Sequence, residues 1–293
     1  MSMAAVIEFK IEVALGAVPA IEELLAEQEE QRFMVLEDKP SGRAWLTGYY
    51  ESRADAQAAW RAFGPLLDPG WLATEPVSHE LADKDWKESY KEHFKAWQFG
   101  RLHWVPVWER ETFRLPTGDE VLWLDPGMAF GTGNHETTRL VVERLVEFAS
   151  EKGVGGRVID AGCGSGILAL SAVKLGYRQV AAFDNDPLAV DVSRGNAELN
   201  GLGGRVGFSV DDLVTGLAGR QAELVLANIQ GDVLMKFADG LLGAVAPGGA
   251  LVLSGILETE LAQVRETFAA LGPDWGCDSR ALGEWSDLVL RRP

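Results

Sequence analysis

The chain has 293 residues, of which 47% are hydrophobic and 24% charged, so it has the composition of a globular protein and room for two domains. Its formal net charge of −17 opposes binding to nucleic acid, which requires clustered Lys and Arg. Two cysteines do not make a disulfide framework, and no apolar run reaches the roughly 18 residues of a membrane span. We therefore expect a cytoplasmic protein that binds neither nucleic acid nor a membrane.

The first 80 residues predict the element order β-α-β-β-α-β. Strands are predicted at residues 6–15, 33–38, 44–50 and 72–79, and helices at residues 17–31 and 52–63, with Ser52 as the cap of the second helix. This order is typical of a ferredoxin-like α+β domain. Because this segment has no glycine fingerprint, we predict that it recognises the substrate and that catalysis takes place elsewhere.

A linker helix is predicted at residues 81–100, and a catalytic domain at residues 101–293. Strands at residues 102–107 and 120–124 lead into a loop, residues 125–138, that contains three glycines and a proline together with Met128 and Phe130. Loops of this composition beside a nucleotide-binding fold tend to contact the ligand. Thr137 or Thr138 is the predicted cap of the helix that follows.

Residues 158–184 are the most informative segment. A short apolar strand is followed by the turn Gly162-Cys163-Gly164-Ser165-Gly166, an apolar helix, and a second strand that ends at Asp184. This order opens a doubly wound α/β sheet that holds a nucleotide at the carboxyl ends of its strands. A dinucleotide fingerprint would have its third glycine at Ile167. The third glycine is instead Gly166, which favours S-adenosylmethionine over a nicotinamide dinucleotide, with Asp184 accepting both ribose hydroxyls.

Two further strands end in polar residues. Asp211 and Asp212 follow the strand at residues 206–210, and Asn228 ends the strand at residues 223–228. Because such strand ends meet at one edge of a parallel sheet, we predict Asp211 and Asn228 as further cofactor contacts, together with the backbone of Gly164 in the glycine turn. Helices at residues 187–199, 232–245 and 258–271, a strand at 250–254 and an antiparallel pair at 275–277 and 285–290 complete the predicted domain. The histidines and cysteines show no metal-ligand spacing, so no metal is predicted.

Several of these motifs together resemble a known family. They are the loop with Gly131-Thr132-Gly133 and His135, the glycine turn with Asp160 before it, and the pair Asn228-Ile229. The chain resembles the PrmA type of bacterial ribosomal protein methyltransferase, a class I S-adenosylmethionine-dependent enzyme that trimethylates amino groups of a large-subunit stalk-base protein. The resemblance covers nearly the whole length, including residues 254–257 and Glu284-Trp285. It implies that the ferredoxin-like domain is followed in sequence by a domain with a Rossmann-like doubly wound sheet.

The resemblance also implies a set of contacts to S-adenosylmethionine, made by Thr138, Gly162, Asp184 and Asn228. Thr138 would lie near the methionine end, and the backbone at Gly162 would approach the cofactor. Asn228 would lie beside the transferred methyl group, and it is our predicted catalytic residue. Phe130 is expected to cover the cofactor, with packing beside a hinge as the equal alternative.

The predicted reaction is methylation of lysine or N-terminal amino groups of a ribosomal protein by a monomeric enzyme. Methyl transfer to an amine requires positioning more than a strong acid or base, and a lone histidine such as His135 more often bonds to backbone than catalyses. Because the cofactor fold does not fix the acceptor, another protein, a nucleic acid or a small molecule are alternative substrates. A noncatalytic nucleotide-binding relative or a nicotinamide enzyme is a further alternative. The chain departs from the family pattern at Tyr90 and Gln230, and these differences affect the expectation of which substrate accepts the methyl group.

Overall fold

The computed structural model describes residues 6–27, 32–38, 42–50, 52–81, 96–125 and 135–293. None of the helices in these ranges has both the length and the apolar character that crossing a bilayer requires. The chain divides into two compact units, Met1–His93 and Phe94–Pro293. The division falls within the predicted linker, residues 81–100. Residues 82–95 lie outside the described ranges, and with them most of the helix predicted there. At the end of that segment the prediction was wrong, because Trp97–Phe99 is a strand.

The first unit has the predicted ferredoxin-like order. Its elements are β1 (Val6–Val13), α1 (Val18–Glu27), β2 (Met34–Asp38), β3 (Arg43–Tyr50), α2 (Arg53–Phe63) and β4 (Val77–Leu81). The strands form an antiparallel sheet in the order β2-β3-β1-β4. Alternate residues of β1, such as Phe9 and Ile11, are buried with Ile21 of α1 and Phe63 of α2. The helices therefore cover one face of the sheet.

Local chemistry explains where α2 and β4 begin. Helix α2 begins after Ser52, whose Oγ accepts a hydrogen bond from the backbone N–H of Asp55 at 3.2 Å, which confirms the predicted cap. Strand β4 was expected at residues 72–79, but Leu72 makes only an isolated bridge to Val13. Because Pro76 has no N–H to donate to a ladder, regular pairing begins only after it.

The other face of this sheet, here called the open face, carries exposed apolar side chains. Met34 and Leu36 of β2, Tyr49 of β3 and Val77 of β4 are exposed, and each pairs with a residue of β1 or β3 on the same side of the sheet. Among these partners Thr47, opposite Met34, is itself buried. At its centre, the ring of Trp45 lies 4.5 Å from Lys10 Nζ and 5.0 Å from the Arg43 guanidinium carbon. The open face is therefore an apolar surface with charged groups among its side chains.

The second unit begins with a three-stranded sheet in the order β5-β6-β7, made of β5 (Trp97–Phe99), β6 (Leu102–Pro106) and β7 (Glu120–Leu124). The buried Trp104 of β6 donates its Nε1–H to the Oγ of Ser171 at 2.9 Å. At the edge strand β7, the N–H of Trp123 donates to Oδ1 of Asn200 at 2.7 Å, and Nδ2 of Asn200 donates to the carbonyl of Trp123 at 2.9 Å. This sheet is thus fixed to the large sheet's helices.

The large sheet has the strand order β10-β9-β8-β11-β12-β15-β13, with β14 paired to β15. Its strands are β8 (Arg157–Ala161), β9 (Gln179–Asp184), β10 (Val206–Val210), β11 (Ala222–Asn228), β12 (Val245–Leu257), β13 (Gly276–Asp278), β14 (Ala281–Leu282) and β15 (Trp285–Arg291). Strands β8 to β12 are parallel, and β15 runs antiparallel to β12. The predicted antiparallel pair is that of β13 with β15. The strand order reverses between β8 and β11, which is where open α/β sheets bind ligands.

Helices cover both faces of this sheet. They are α3 (Glu136–Lys152), α4 (Ile167–Leu175), α5 (Pro187–Leu199), α6 (Leu213–Leu217), α7 (Gly231–Lys236), α8 (Ala238–Gly243) and α9 (Leu261–Leu271). One core joins α3 and α4 to the sheet through residues such as Val141 and Leu170. The other joins α7, α8 and α9 through Leu234, Leu241 and Phe268. The result is a three-layer α/β/α domain.

Three predicted elements of the second unit differ most clearly from the observed ones. The helix expected at residues 232–245 is two short helices, because Phe237 (φ −111°, ψ 18°) leaves the helical conformation. Strand β12 is longer than residues 250–254 because it pairs with β11 from Val245 onwards. Helix α9 begins at Leu261 and not at Glu258. The type of structure was predicted correctly at these positions, but the ends of these elements were not.

Candidate cofactor-binding and active site

The glycine turn connects β8 to α4 at the point where the strand order reverses. Gly162, Gly164 and Gly166 have φ values of 76°, 51° and 75°, a left-handed region that favours glycine. The N–H groups of Gly162 and Cys163 both donate to the carbonyl of Phe183, at 2.9 and 3.0 Å. The turn is therefore held against the end of β9.

Asp184, the last residue of β9, is bonded directly to this turn. Its Oδ2 accepts a hydrogen bond from the N–H of Gly164 at 2.9 Å, and its Oδ1 accepts one from the N–H of Asp186 at 3.0 Å. A carboxylate has about four lone-pair positions, so each oxygen retains the capacity to accept another hydrogen bond. The half-buried side chain is thus oriented by backbone donors and remains able to accept two hydroxyl groups.

Two side chains of α5 also hold the turn, and the sequence analysis missed both. The Oγ of Ser193 donates to the carbonyl of Gly164 at 2.8 Å, and Nδ2 of Asn196 donates to the carbonyl of Ser165 at 2.9 Å. Ser193 is fully buried. The signal in the sequence was two polar residues three positions apart on a helix face that otherwise faces the core.

Asn228 and Thr138 are brought together from positions 90 residues apart. Nδ2 of Asn228, at the end of β11, donates to the Oγ1 of Thr138 in the first turn of α3 at 3.2 Å. Thr138 is buried, whereas Asn228 is half-buried. Strands β9 and β11 flank β8, so Asp184 and Asn228 end on either side of the glycine turn.

The cap of α3 differs from the prediction. His135, and neither Thr137 nor Thr138, is the N-cap residue: its Nδ1 accepts from the N–H of Thr137 at 3.4 Å and lies 2.9 Å from that residue's Oγ1. The ring of His135 also packs edge-to-face on Trp285, with centroids 5.1 Å apart. The interpretation of His135 as a residue that bonds to the backbone is confirmed. The group that caps the helix is thus an imidazole nitrogen, whereas the usual cap preferences predicted a threonine hydroxyl.

Burial affects two ionisable groups next to the turn. Burial raises the pKa of Asp160 to about 7, although its Oδ2 accepts from the N–H of Ala169 at 3.0 Å. Its Oδ1 has no hydrogen-bond partner in the described part of the chain. Burial, together with the charge of Asp160, raises the pKa of the Cys163 thiol to about 12. Cys163 is therefore a neutral thiol and not a nucleophile at neutral pH.

The remaining predicted positions are placed as follows. Asp211 donates its N–H to the carbonyl of Asp184 at 3.0 Å, and its carboxylate lies 3.7 Å from Nη2 of Arg220. Asp212 caps α6 and accepts hydrogen bonds from the N–H groups of Val214 and Thr215. Phe130 and the rest of residues 126–134 lie outside the described ranges. Among the described residues, no group of His, Cys, Asp and Glu has the arrangement of a metal site.

This fold and this site define a class I S-adenosylmethionine-dependent methyltransferase. Over residues 8–293 the chain matches the family model described as ribosomal protein L11 methyltransferase (PrmA). The chain belongs to that family, as its motifs had indicated.

Individual relatives agree with this assignment. A ribosomal protein L11 methyltransferase of Pelotomaculum thermopropionicum is 42% identical over 220 residues, which are 75% of this chain and 69% of the relative. That of Pelobacter propionicus is 40% identical over 257 residues, covering 84% and 81%. A crystal structure of a ribosomal protein L11 methylase from Lactobacillus delbrueckii subsp. bulgaricus is 30% identical, with a TM-score of 0.60. The match covers 68% of this chain and all of that one.

Proposed function

We propose that this chain transfers methyl groups from S-adenosylmethionine to amino groups, of lysine or of the N-terminus, on a ribosomal protein in the cytoplasm. The main structural support is the pairing of Asn228 with Thr138 at the carboxyl edge of the sheet, beside the glycine turn. The similar relatives are ribosomal protein L11 methyltransferases, which supports a ribosomal protein as substrate. A monomer is proposed as the working form.

The residues present fit this cofactor. Asp184 is proposed to accept both ribose hydroxyls, since each of its oxygens has spare accepting capacity. Gly162 and Gly164 are proposed to let the backbone approach the methionine part, which Thr138 would also contact. Asp211 and Phe130 are the remaining proposed contacts. When bound, S-adenosylmethionine supplies a methyl group activated by a positively charged sulfur.

The protein's main chemical task is to present an uncharged amine. A lysine has a pKa near 10.4, so making it neutral at pH 7.5 requires about 4 kcal/mol. Desolvation of the amine in the site lowers its pKa and supplies part of this free energy. The side-chain oxygen of Asn228 is proposed to accept a hydrogen bond from the amine and to direct its lone pair. The Nδ2 hydrogen bond to Thr138 leaves that oxygen available.

No side chain is proposed to form a covalent intermediate. The thiol of Cys163 is buried and neutral, and its Sγ lies 3.6 Å from the Oγ of Ser193. Positioning of two bound reactants can by itself supply on the order of 7–11 kcal/mol of the barrier reduction. The proposed mechanism therefore depends on geometry and desolvation.

The first unit is proposed to recognise the substrate protein through its open face. Four of the large apolar residues exposed in the described chain, Met34, Leu36, Tyr49 and Val77, lie on this one sheet face. Residues 1–93 contain twice as many acidic as basic residues, so the surroundings of this apolar surface favour a basic partner. Ribosomal proteins that bind RNA are basic as a class, which matches this surface.

The direct experiment is incubation with isotopically labelled S-adenosylmethionine and a ribosomal-protein extract, followed by mass spectrometry. We expect label on lysine or N-terminal amino groups of one basic ribosomal protein, and none in the Asn228→Ala variant. Label on RNA, on a small molecule or on no acceptor would overturn the proposed substrate. Calorimetric titration should show binding of S-adenosylmethionine and not of a nicotinamide dinucleotide.

A further inference from the structure

Ile229, the residue directly after Asn228, lies between two glycines from different parts of the chain. A Cβ at Gly162 would lie 2.6 Å from Cγ2 of Ile229, and a Cβ at Gly255 would lie 2.5 Å from the carbonyl oxygen of Ile229. Real Cβ atoms essentially never make contacts this short. Both approaches to Ile229 therefore depend on the absence of a side chain.

The contact at Gly255 is with the backbone, so it constrains the chain path more tightly than the contact at Gly162. A Cβ at Gly255 would also lie 2.8 Å from the carbonyl carbon and 3.1 Å from the nitrogen of Ile229. A side chain can rotate away from such a contact, whereas the peptide group of Ile229 can relieve it only if the end of β11 moves.

The strand that carries Gly255 is distorted at this position. Gly255 has a φ of 81° and lies where the pairing of β12 with β15 shifts register, between Leu253 and Ile256. Bulges of this kind re-aim neighbouring groups and are frequent beside active sites. Just before it, the carbonyl of Ser254 accepts a hydrogen bond from the N–H of Ile229 at 3.1 Å. The peptide of Ile229 is thus held by a hydrogen bond and a close contact at once.

We propose that Gly255 is a positioning residue for Asn228: by admitting the Ile229 peptide, it fixes the path of the chain at the end of β11. The side chain of Asn228 then reaches Thr138 and the reacting amine. This inference rests on the proposed function of Asn228 and adds a residue about 27 positions further along the chain. Gly255 is not among the proposed cofactor contacts and is proposed to act only through Ile229.

The test compares Gly255→Ala with Gly248→Ala. Gly248 lies on the same strand, has a φ of 74°, and has no atom within 4 Å of an added Cβ. Both variants therefore strain the backbone alike, and only Gly255→Ala presses on Ile229. We expect Gly255→Ala to lower kcat on the order of 10²-fold, because a displacement of the Asn228 side chain by about 1 Å can cause a loss of that size. The Kd for S-adenosylmethionine should change less than about 3-fold. Gly248→Ala should keep kcat within about 3-fold of the parent.

A second readout does not require activity. The side-chain amide resonances of Asn228, assigned with Asn228→Asp, should shift in Gly255→Ala and keep their parent positions in Gly248→Ala. Equal shifts in the two variants, or equal losses of kcat and cofactor affinity, would overturn the inference. If the parent enzyme methylates no ribosomal protein, the proposed function fails. Unshifted Asn228 resonances in Gly255→Ala overturn the positioning role whether or not that function holds.

A third variant keeps the inference testable if Gly255→Ala does not fold. Ile229→Ala removes the Cγ2 atom that approaches Gly162, whereas Ile229→Val retains both branches at Cβ. We expect Ile229→Ala to lower kcat more than Ile229→Val does, and to shift the Asn228 amide resonances. Identical kinetics and spectra for these two variants would contradict the idea that the position of Ile229 controls Asn228.

Discussion

Nδ2 of Asn228 donates a hydrogen bond to the Oγ1 of Thr138 at 3.2 Å, and this contact joins the end of β11 to the first turn of α3. The pair connects the strand that carries the proposed catalytic residue to the helix that follows the glycine-rich loop. A side chain fixed in this way loses little entropy when it acts on a substrate.

Replacing Asn228 by Ala is expected to lower kcat on the order of 10²-fold and to change the Kd for S-adenosylmethionine only a few-fold, because the side-chain amide of Asn228 acts on the substrate amine.

Thr138→Val removes the hydroxyl that accepts the hydrogen bond from Asn228 and keeps the shape of the side chain. Steady-state kinetics and calorimetry on both single variants and the double variant should give a coupling of about 0.5–3 kcal/mol. Thr138→Ser, which retains the hydroxyl, is the control. Equal losses in kcat and cofactor affinity for Asn228→Ala would mean that it only binds cofactor.

The carboxylate of Asp184 is expected to contribute mainly to cofactor affinity. Asp184→Asn keeps the shape but loses charged hydrogen bonds worth about 1.5–3 kcal/mol, so the Kd should rise about 10- to 150-fold. Asp186→Asn makes the same charge change two residues away and retains a good helix cap, so it should change the Kd little. An equal effect of the two substitutions in calorimetry would argue against a ribose contact. Asp211→Asn should have a smaller effect than Asp184→Asn, since Arg220 pairs with Asp211.

A buried ion pair lies in the second unit, between Arg144 and Asp287. Nε and Nη2 of Arg144 donate to the two carboxylate oxygens of Asp287 at 2.6 and 2.9 Å, and both side chains are buried. Arg144→Met leaves an uncompensated buried charge and should cost about 3–5 kcal/mol in urea unfolding. Arg157→Met breaks a pair with Glu223 whose side chains are 48% and 46% exposed, so it should cost at most about 1 kcal/mol. Similar costs for the two would contradict this difference.

Asp160 should make stability depend on pH. Its pKa is raised by burial from 3.8 to about 7 in the folded protein, so the folded state binds a proton that the unfolded chain has released. Stabilisation from this group is therefore complete below pH 4 and is lost as the pH rises through about 7. The Asp160→Asn variant cannot bind this proton, so its unfolding free energy should rise relative to that of the parent between about pH 4 and pH 7 in urea titrations. Parallel pH profiles for the two proteins would refute the shifted pKa.

The open face of the first unit should control substrate affinity alone. Leu36→Glu or Val77→Glu should raise the KM for the ribosomal protein at least about 10-fold, and leave the Kd for S-adenosylmethionine unchanged, because burying an unpaired charge is costly. Leu66→Glu makes the same change at an exposed apolar residue of the same unit that lies outside the sheet. A KM raised equally by Leu66→Glu would point to a general effect of added charge.

Much of this organisation was predictable because it depends on local patterns. Helix α4 and strands β9 and β10 begin and end as predicted, since glycines and polar residues bound each apolar run. Asp184 was identifiable from its distance to the glycine turn, which the spacing of a βαβ unit fixes.

The remainder depends on contacts between distant residues. No local pattern indicates that His135 caps α3, that Ser193 holds the carbonyl of Gly164, or that Ile229 packs between two glycines. The partner of a buried polar group is set by tertiary packing, and the choice of Thr137 or Thr138 as a cap followed residue preference alone. Thr138 lies inside the helix, and its hydroxyl accepts a hydrogen bond from Asn228.

The side chain of Asn200 has a consequence for the edge of the three-stranded sheet. Its carboxamide pairs with both the N–H and the carbonyl of Trp123, on the outer side of strand β7. An unprotected edge strand is a template on which another polypeptide can add in β conformation, a common start of aggregation. At Trp123 an incoming strand would first have to break two short hydrogen bonds. The side chain of Asn200 therefore opposes the addition of a strand from another molecule at this edge.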